Sequence, residues 1–407
     1  MIQLDFNEAM EIDTVILKEK GVAIGQPGNC RKFCIEAQVA GKWLKIHGSD
    51  VIGSYRMCKT DKVYATAIRL VINETAVGKT VEIAKMSAQK TTFEPRAFRV
   101  LGYYHPRTFE QDELNPAQLN AVTDVVYIGF TPVVAGKSGL EIQMHTDMDK
   151  HIHRLKEVIG TRKVNMYMSL TGKNMLTPKD EDAECIATQA MALVEKYGFD
   201  GVDLDFEGEW FTDKHQRAGY SKVIMHLSKK LRSAGKKLSM AVITPYVYTK
   251  DALKMVDYIN TMTYDYTDID AWHSTYNAAV RDIHEICEAG FSLIDEDGNA
   301  LARRLAVPYE KINLGMPFYG MGNDNGVREW NRTYGYSHYY KPSEADAFDP
   351  DCNYAHRSYY NGPTTIRDKT AYALMHVGGV MFWSLSHDVD YHAPYSLLRT
   401  VHEMDIF

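Results

Sequence analysis

Acidic residues occupy every second position at the end of one short apolar segment. Residues 198–207 read GFDGVDLDFE and carry Asp203, Asp205 and Glu207. Because side chains alternate between the two faces of a β-strand, these three carboxyls share one face and the apolar residues between them share the other. Buried carboxyls are costly, and burial together with mutual repulsion keeps a proton on one member of such a row. The spacing therefore predicts a general acid, and Glu207, last in the row, is the candidate that meets substrate.

A carboxylic acid of this kind is suited to cleavage of a glycosidic bond, because the leaving oxygen must be protonated as the bond breaks. A metal site or a solvated acidic edge is the alternative for the same residues. Mg²⁺ or Ca²⁺ would require further oxygen ligands at loop spacing, and the neighbouring sequence lacks a Gly- and Asp-patterned loop. We therefore expect catalysis without a metal or another cofactor.

Apolar strand candidates follow one another from about residue 97, and most are separated by a helix-like stretch. Two of these stretches end at Gly198 and Gly235, where Gly can stop a helix in a left-handed conformation. Apolar strands that alternate with helices eight times predict an α/β fold with a closed (β/α)8 TIM barrel over residues 96–407. A doubly wound open sheet is the alternative, but it commonly has a Gly-rich phosphate turn, which is missing. The strand candidates are 98–104, 124–130, 163–170, 198–207, 237–243, 257–264, 311–319 and 379–386.

The active residues of such a barrel lie at the carboxyl ends of its strands, and the acidic row ends the fourth strand candidate. Asp200 falls on the opposite parity, so we expect it to form a hydrogen bond at the strand entry. The stretch from His387 to His392 contains possible metal ligands. A helix start with acidic residues in its first turn is the favoured interpretation of that stretch.

Residues 1–95 have a different pattern. Short runs rich in β-branched residues are punctuated by Gly, Asn, Asp and Lys, and helical periodicity is nearly absent. Residues 67–72, AIRLVI, alternate with the period of two that is typical of a half-buried strand. We therefore predict a smaller β-sandwich domain at residues 1–95, ahead of the barrel.

Composition limits the partners. The 407-residue chain has a formal net charge of −7 and no Lys/Arg-rich block, so no nucleic-acid partner is expected. No segment approaches the roughly 20 apolar residues that span a bilayer, so no membrane span is expected either. The acidic start MIQLDFNEAMEID lacks the core of a secretion signal; the compartment stays open, with an extracellular or periplasmic location favoured if an export segment is missing. We expect a monomer with free cysteines.

The acidic row resembles the hallmark of glycoside hydrolase family 18, the chitinases and endo-β-N-acetylglucosaminidases. That hallmark is Asp-x-x-Asp-x-Asp-x-Glu, and Asp200, Asp203, Asp205 and Glu207 match it in full. The resemblance extends over about residues 97–407. The ends of four other strand candidates are also similar to family segments: Gly102-Tyr103-Tyr104, Met262-Thr263-Tyr264-Asp265, Gly315-Met316-Pro317-Phe318-Tyr319-Gly320 and Gly378-Gly379-Val380-Met381-Phe382-Trp383.

The resemblance implies a retaining hydrolysis in which the acetamido oxygen of the substrate, rather than a protein nucleophile, attacks C1. Glu207 would protonate the leaving oxygen and then activate water. Asp205 would hydrogen-bond the acetamido N–H, Asp203 would tune Asp205, and Tyr264 would hold the acetamido carbonyl. The implied substrate-binding residues are Tyr104, Met262, Asp265, Tyr319 and Trp383, with Trp383 as the apolar floor of the −1 subsite.

Two segments depart from the family pattern. Ser169-Leu170-Thr171-Gly172 stands where Ser-x-Gly-Gly is usual, and Gly208-Glu209-Trp210 replaces the aromatic-Pro ending common after the motif. The second departure bears on substrate fit rather than on the chemistry. In the N-terminal region, residues 12–19 (IDTVILKE), 35–37, 41–43, 51–53 and 68–72 resemble discoidin-like (coagulation factor type C) modules and cover only the later part of their pattern.

We therefore expect hydrolysis of β-1,4 bonds in a GlcNAc polymer, chitin or chitooligosaccharides. An endo-β-N-acetylglucosaminidase that cuts the N-glycan core is an alternative, because the stretch from Gly320 to Ser358 is short for the insertion that walls a deep chitin cleft. A non-catalytic carbohydrate-binding lectin is the alternative from another class. Such lectins typically lose the terminal Glu of the motif, and Glu207 is present.

Overall fold

The computed structural model contains an antiparallel sheet followed by an α/β barrel. It describes residues 1–93, 96–105, 115–134, 140–172, 177, 179–208, 210–243, 246–266, 272–324 and 327–404. The predicted domain boundary at residue 95 and Glu209 after the acidic row lie outside the described residues. The division into two domains at that boundary stays a prediction.

The N-terminal region consists of long strands with a hydrophobic core of their own. They pair antiparallel in one sheet in the order third, second, fourth, first, fifth. Alternate side chains such as Ile68 and Leu70 are fully buried in a core separate from that of the barrel. The predicted β structure is thus confirmed, and the discoidin-like type stays a prediction. The strands are Ile2–Glu19, Cys30–Val39, Lys42–Ser49, Arg56–Thr75 and Ile83–Gln89.

Eight parallel strands close into a barrel, which confirms the predicted fold class. Closure is completed by the eighth strand, which pairs with the first, Met381 lying opposite Leu101. Each strand is buried on both sides, between the barrel interior and the surrounding helices, which is why the strands read as continuous apolar runs. The barrel strands are Arg99–Tyr104, Asp124–Val134, Asn165–Gly172, Gly201–Phe206, Lys237–Val242, Tyr258–Thr261, Ile312–Pro317 and Gly379–Trp383.

Helices α1–α7 accompany these strands. The predicted left-handed stop is observed at Gly198, where φ is 63°, and Gly235 after α3 also has a positive φ of 69°. At its start, α3 is capped by Asp213, whose side chain accepts the backbone N–H of His215 and Gln216. The helices are α1 Met148–Ile159, α2 Asp180–Tyr197, α3 Lys214–Ser233, α4 Lys250–Met255, α5 Tyr276–His284, α6 Pro363–His376 and α7 Leu397–His402.

Short strands extend some of the loops. A strand at Leu140–Met144 pairs antiparallel with the second barrel strand, and a small sheet follows the seventh barrel strand. Its strands are Tyr319–Asp324, Val327–Gly335, Tyr354–Ala355 and Ser358–Tyr359. Another small sheet comprises Val247–Thr249, Phe291–Ile294 and Ala300–Leu305.

The prediction of a helix start at 387–392 is wrong. The last helix, α7, begins at Leu397, and the side chain of Asp388 contacts the start of that helix. The Asp388 carboxylate accepts hydrogen bonds from Leu397 N at 3.0 Å and Leu398 N at 2.9 Å. The carboxylate therefore does serve a helix N-terminus, but of a helix that starts nine residues further along the chain. Burial, opposed by these hydrogen bonds, raises the pKa of Asp388 to about 6.

A buried ionic cluster joins the N-terminal sheet to α6. Asp368 accepts from Arg56 Nη2 at 2.8 Å, from Lys59 N at 2.8 Å and lies 3.0 Å from His47 Nε2. Burial opposes charge on His47, but Asp368 prevails and raises its pKa to about 10. Ile16 and Met57 of the sheet also pack into the hydrophobic core of the barrel. The sheet is therefore fastened to the barrel by buried polar and apolar contacts together.

In the described parts of the chain, no helix is long and apolar enough to cross a membrane. The six cysteines all lie in those parts as free thiols.

Candidate active site

The acidic row rises from the closed interior of the barrel to its open rim. Asp203 is fully buried, Asp205 is 5% exposed, and Glu207, just past the end of the fourth strand, is exposed. The apolar residues of the same strand pack on the opposite face, in the core between barrel and helices. The predicted inward orientation of the row is thereby confirmed. Glu207, the last of the row, thus lies at the carboxyl end of its strand, where barrel active sites form.

Asp203 is held by side chains from three other strands. Its carboxylate accepts hydrogen bonds from Tyr103 OH at 2.8 Å, Ser239 Oγ at 2.6 Å and Asn260 Nδ2 at 2.9 Å. Burial raises the pKa of Asp203, and these three hydrogen bonds oppose the rise. Asp203 is therefore a fixed acidic residue below Asp205.

Asp205 has the opposite surroundings. Among the described residues, its Oδ1 is buried without a hydrogen-bond partner. Burial raises the pKa of Asp205 well above its usual value, and the neighbouring Glu207 and Asp203 raise it further. An unpartnered buried oxygen is expensive, so Asp205 is a group that a ligand N–H or a proton would satisfy.

A pocket of about 510 Å³ opens above the row. It brings together most of the residues that the sequence predicted for the site. Tyr319 OH donates to Asp265 Oδ1 at 2.6 Å and the rings of Tyr319 and Tyr264 meet edge to face at 6.1 Å. Burial raises the pKa of Tyr264, and the charge of Asp205 adds to the effect, so Tyr264 is a neutral phenol and a hydrogen-bond donor at neutral pH. The predicted residues that line the pocket are Glu207, Met262, Tyr264, Asp265, Tyr319 and Trp383.

Of the predicted substrate-binding residues, all of which the structure describes, Tyr104 is the one that does not line the pocket. Its ring packs in the core outside the barrel interior, 5.7 Å from the ring of Tyr127. The adjacent Tyr103 occupies the inner face instead, bonds Asp203 and lies 5.4 Å from Trp383. Alternation along the first strand decides the matter, because only one of two consecutive tyrosines can point inward.

Three further residues, Phe211, Ile243 and Tyr246, line the pocket without having been singled out from the sequence. Phe211 directly follows the segment 208–210, which departs from the family pattern. Its neighbour Trp210 is buried, donates Nε1–H to Phe206 O at 2.8 Å and packs against Tyr246 with ring centroids 4.8 Å apart. The aromatic signal after the acidic row was readable, but the direction in which each ring points was not.

Asp200 and the third barrel strand form part of the strand framework around the acidic row. Asp200 Oδ2 accepts the N–H of Met166 at 2.9 Å, which confirms its predicted hydrogen bond at the strand entry. The third strand departs from the family pattern in sequence but keeps regular parallel pairing with the fourth strand, in which Thr171 lies opposite Asp205. Its Oγ1 lies 3.1 Å from Oγ1 of Thr131. The following Gly172 accepts the N–H of Glu207 at 3.1 Å and so helps to place the end of the acidic row.

Fold and site together define a (β/α)8 barrel protein with a row of carboxyls at the catalytic rim and an aromatic-lined pocket above it. The family model for glycosyl hydrolases family 18 matches residues 99–388. That range is well over half of the 407-residue chain, and the chain therefore belongs to this family.

Individual relatives agree with that assignment. Chitinase A1 of Niallia circulans is 28% identical over 260 residues, covering 50% of this chain and 37% of the relative. Endochitinase 1 of Metarhizium anisopliae is 26% identical over 280 residues, covering 59% and 64%. The chain thus spans between about a third and two thirds of these curated relatives.

Among solved structures, the GH18 chitinase ChiB from the chitin utilization locus of Flavobacterium johnsoniae superposes with a TM-score of 0.60. The identity is 23%, and the match covers 76% of this chain and 94% of that chain. At this level of identity the likeness shows the fold, which agrees with the barrel described above.

Proposed function

We propose that this protein hydrolyses β-1,4-glycosidic bonds next to N-acetylglucosamine in chitin or chitooligosaccharides. The observation that carries the proposal is Asp205, a buried carboxyl whose Oδ1 has no hydrogen-bond partner among the described residues, placed between Asp203 and the exposed Glu207 beneath an aromatic pocket. Such an oxygen is suited to the acetamido N–H of a GlcNAc unit. The relatives named above, a chitinase and an endochitinase, support the same substrate.

The mechanism follows from the exposure gradient of the row. Glu207 is the member that substrate can reach, so it protonates the leaving oxygen and later activates water. Asp205 receives the acetamido N–H and stabilises the positive charge that develops when the acetamido oxygen attacks C1. Burial raises the pKa of Asp205, and the neighbouring Glu207 and Asp203 raise it further, so the row favours binding a proton.

The pocket walls orient the sugar for this attack. The phenol of Tyr264 donates to the acetamido carbonyl, and Asp203 positions Asp205 from below. Trp383 offers an apolar face to the sugar ring. Met262, Asp265 and Tyr319 complete the wall around the −1 subsite. Tyr104 has no place in this scheme, because its side chain lies outside the pocket.

The N-glycan core is the alternative substrate, since it contains the same GlcNAc-GlcNAc bond. A sugar-binding lectin is disfavoured, because Glu207 is present and open to the pocket. The test compares turnover of chitooligosaccharides with release of high-mannose glycans from a glycoprotein, and cello-oligosaccharides, which lack the N-acetyl group, are the control. We expect cleavage of chitooligosaccharides with retained anomeric configuration. Release of glycans alone would favour the endoglycosidase, and equal cleavage of cello-oligosaccharides would eliminate the substrate-assisted route.

A further inference from the structure

A chain of buried hydrogen bonds leads from α6 to the pocket wall at Asp265. Its members are Lys369, Asn361, Ser274 and His273, each at most 1% exposed. None of the four lines the pocket itself. We propose that this chain orients the proton of His273 toward Asp265 and thereby makes His273 a positioning residue for the sugar-binding wall. The proposal rests on the proposed function, in which Asp265 contacts the substrate.

The direction of the hydrogen bonds is set at Lys369, whose ammonium form has only donors. Lys369 Nζ donates to Asn361 Oδ1 at 2.7 Å and to the backbone oxygen of Ser274 at 3.0 Å. Burial and the nearby Arg56 lower the pKa of Lys369 to about 7. Even the neutral amine keeps two N–H groups, which suffice for these two acceptors. Lys369 therefore donates in either protonation state.

The lysine in turn fixes the amide of Asn361. Because Oδ1 of Asn361 accepts from Lys369, its Nδ2 is the group that faces Ser274. Nδ2 donates to Ser274 Oγ at 3.0 Å and to the Ser274 backbone oxygen at 2.9 Å. The hydroxyl of Ser274 is thus an acceptor from Asn361, and its own proton is available to the next member of the chain.

That next member is His273, whose Nε2 lies 3.2 Å from Ser274 Oγ. If the hydroxyl donates to Nε2, the single proton of the neutral imidazole resides on Nδ1, 3.3 Å from Asp265 Oδ1. Burial, opposed by Asp265, lowers the pKa of His273, which keeps the ring neutral. The backbone oxygen of Tyr359 also interacts with the ring, but the carboxylate is the stronger acceptor.

Asp265 has an uncommon backbone conformation, and two neighbouring side chains contact its carboxylate. Its backbone is left-handed, with φ of 60°, a conformation that persists in a non-Gly residue only when its surroundings hold it. Tyr319 OH and His273 Nδ1 converge on the same Oδ1, at 2.6 Å and 3.3 Å. The head of the chain, Lys369, directly follows Asp368, the residue on which the N-terminal sheet is fastened.

Two substitutions at one position separate positioning from packing. His273→Asn keeps an N–H donor near the place of Nδ1, whereas His273→Gln moves the amide toward the place of Nε2. We expect kcat/KM for chitooligosaccharides to fall about tenfold or more in His273→Gln, because a hydrogen bond to a charged group is lost. His273→Asn should recover most of that loss at an equal thermal midpoint. Equal activity of the two variants would overturn the proposal.

The lysine provides a second arm with a matched control. Lys369→Met should lower kcat/KM in the same direction as His273→Gln, by about threefold or more, because it releases the amide of Asn361. Lys311→Met is the control, since Lys311 is a half-buried lysine that also donates to backbone oxygens, those of Lys254 and Val256, away from the pocket. A loss of kcat/KM in Lys311→Met as large as that in Lys369→Met would contradict a specific role for Lys369.

The tautomer of His273 can be read without any activity. Long-range ¹H–¹⁵N spectra of protein with ¹⁵N-labelled histidine distinguish Nδ1–H from Nε2–H imidazole, and the signal lost in His273→Asn assigns the residue. We expect Nδ1–H in the wild type and a mixture in Lys369→Met. An Nε2–H ring in the wild type would overturn the proposal that the chain of hydrogen bonds orients the proton of His273. This measurement holds even if chitooligosaccharides prove not to be the substrate, so failure of the relay and failure of the proposed function are told apart.

Discussion

Two buried aspartates, Asp368 between sheet and barrel and Asp205 inside the barrel, have opposite surroundings. Asp368 is in contact with Arg56, His47 and the N–H of Lys59. Although burial opposes them, His47 and Arg56 lower the pKa of Asp368. Asp205 faces Asp203 and Glu207 instead, and burial together with these carboxyls raises its pKa. The same chemical group is thus a stable anion in one region and a proton-binding group in the other.

Burial alone does not decide whether the pKa of a carboxyl is raised or lowered; the neighbouring charges and hydrogen-bond donors decide it. Cations around a buried carboxylate recover the cost of desolvation and make it part of the framework. Carboxyl neighbours do not offset the desolvation cost of Asp205, whose Oδ1 has no partner among the described residues. A bound substrate that donates a hydrogen bond to this oxygen would remove part of that cost. We therefore expect the two regions to respond to mutation and pH in opposite ways.

The largest expected effect is on stability, at the sheet–barrel junction. Asp368→Asn should lower the free energy of unfolding at pH 7 by about 3–5 kcal/mol, because Arg56 would be left as a buried cation with a weakened partner. The pKa of Asp368 is lowered in the folded state, so its stabilisation is present above its usual pKa and is lost as pH falls through the folded value. The difference between wild type and variant should therefore shrink in acid.

Urea titrations across pH measure this effect. Asp61→Asn is the matched control, because Asp61 forms an exposed ion pair with Arg367 at 3.1 Å and such pairs contribute about 1 kcal/mol or less. If both variants lost the same small amount, the buried cluster would have no special role in stability.

The next effect is on the chemistry at the rim. Glu207→Gln should lower kcat by about 10²-fold or more, the usual contribution of a general acid, while the fold is retained because Glu207 is exposed. Initial rates on a chromogenic chitooligosaccharide, with circular dichroism as the check on folding, measure it. Near-normal rates in this variant would remove Glu207 from the mechanism.

Asp205→Asn should reverse the sign of the stability change seen at Asp368. The folded pKa of Asp205 is raised, so the native state binds an extra proton and stability falls as pH rises from the usual pKa through the folded value. Asp205→Asn has no carboxyl at this position and therefore does not lose stability in this way as pH rises. We expect it to be more stable than wild type at pH 8, with no gain in acid, and to be much less active.

The same urea titrations at several pH values test the contrast. Wild type and Asp61→Asn should follow one curve, and Asp205→Asn should separate from them as pH rises. A variant that is destabilised at high pH would show that Asp205 is paired in solution rather than strained, and the comparison with Asp368 would fail.

The smallest effect is expected at the pocket rim. Phe211→Ala should raise KM for chitooligosaccharides by about two- to tenfold with little change in kcat, because an aromatic wall is worth roughly 0.5–1.5 kcal/mol. Tyr64→Ala, on the exposed face of the N-terminal sheet, is the control and should leave both constants unchanged. An unchanged KM in Phe211→Ala would place the sugar elsewhere in the pocket.

Much of the site was predictable because it lies on strands. The period of two placed Asp203, Asp205 and Glu207 on one face, and the structure confirms it. The same rule did not identify Tyr103, because two consecutive tyrosines offer two registers and only packing selects one of them. Phe211 lies in the short 3₁₀ helix Trp210–Thr212 and Tyr246 in a loop, and neither segment has a periodicity that tells which way a ring points.

By itself, the sequence determined the inward row of acids, because the alternation of side chains along a strand is a local property of the chain. The motif that these acids match indicated the family, and the alternation of strand and helix candidates indicated the barrel. Only the tertiary structure decided which of the buried carboxyls has a raised pKa and which a lowered one. Asp203 is held by Tyr103 and Asn260, and Asp368 by Arg56, from strands remote in the sequence. A pKa depends on neighbours through space, and those neighbours exist only once the chain has folded.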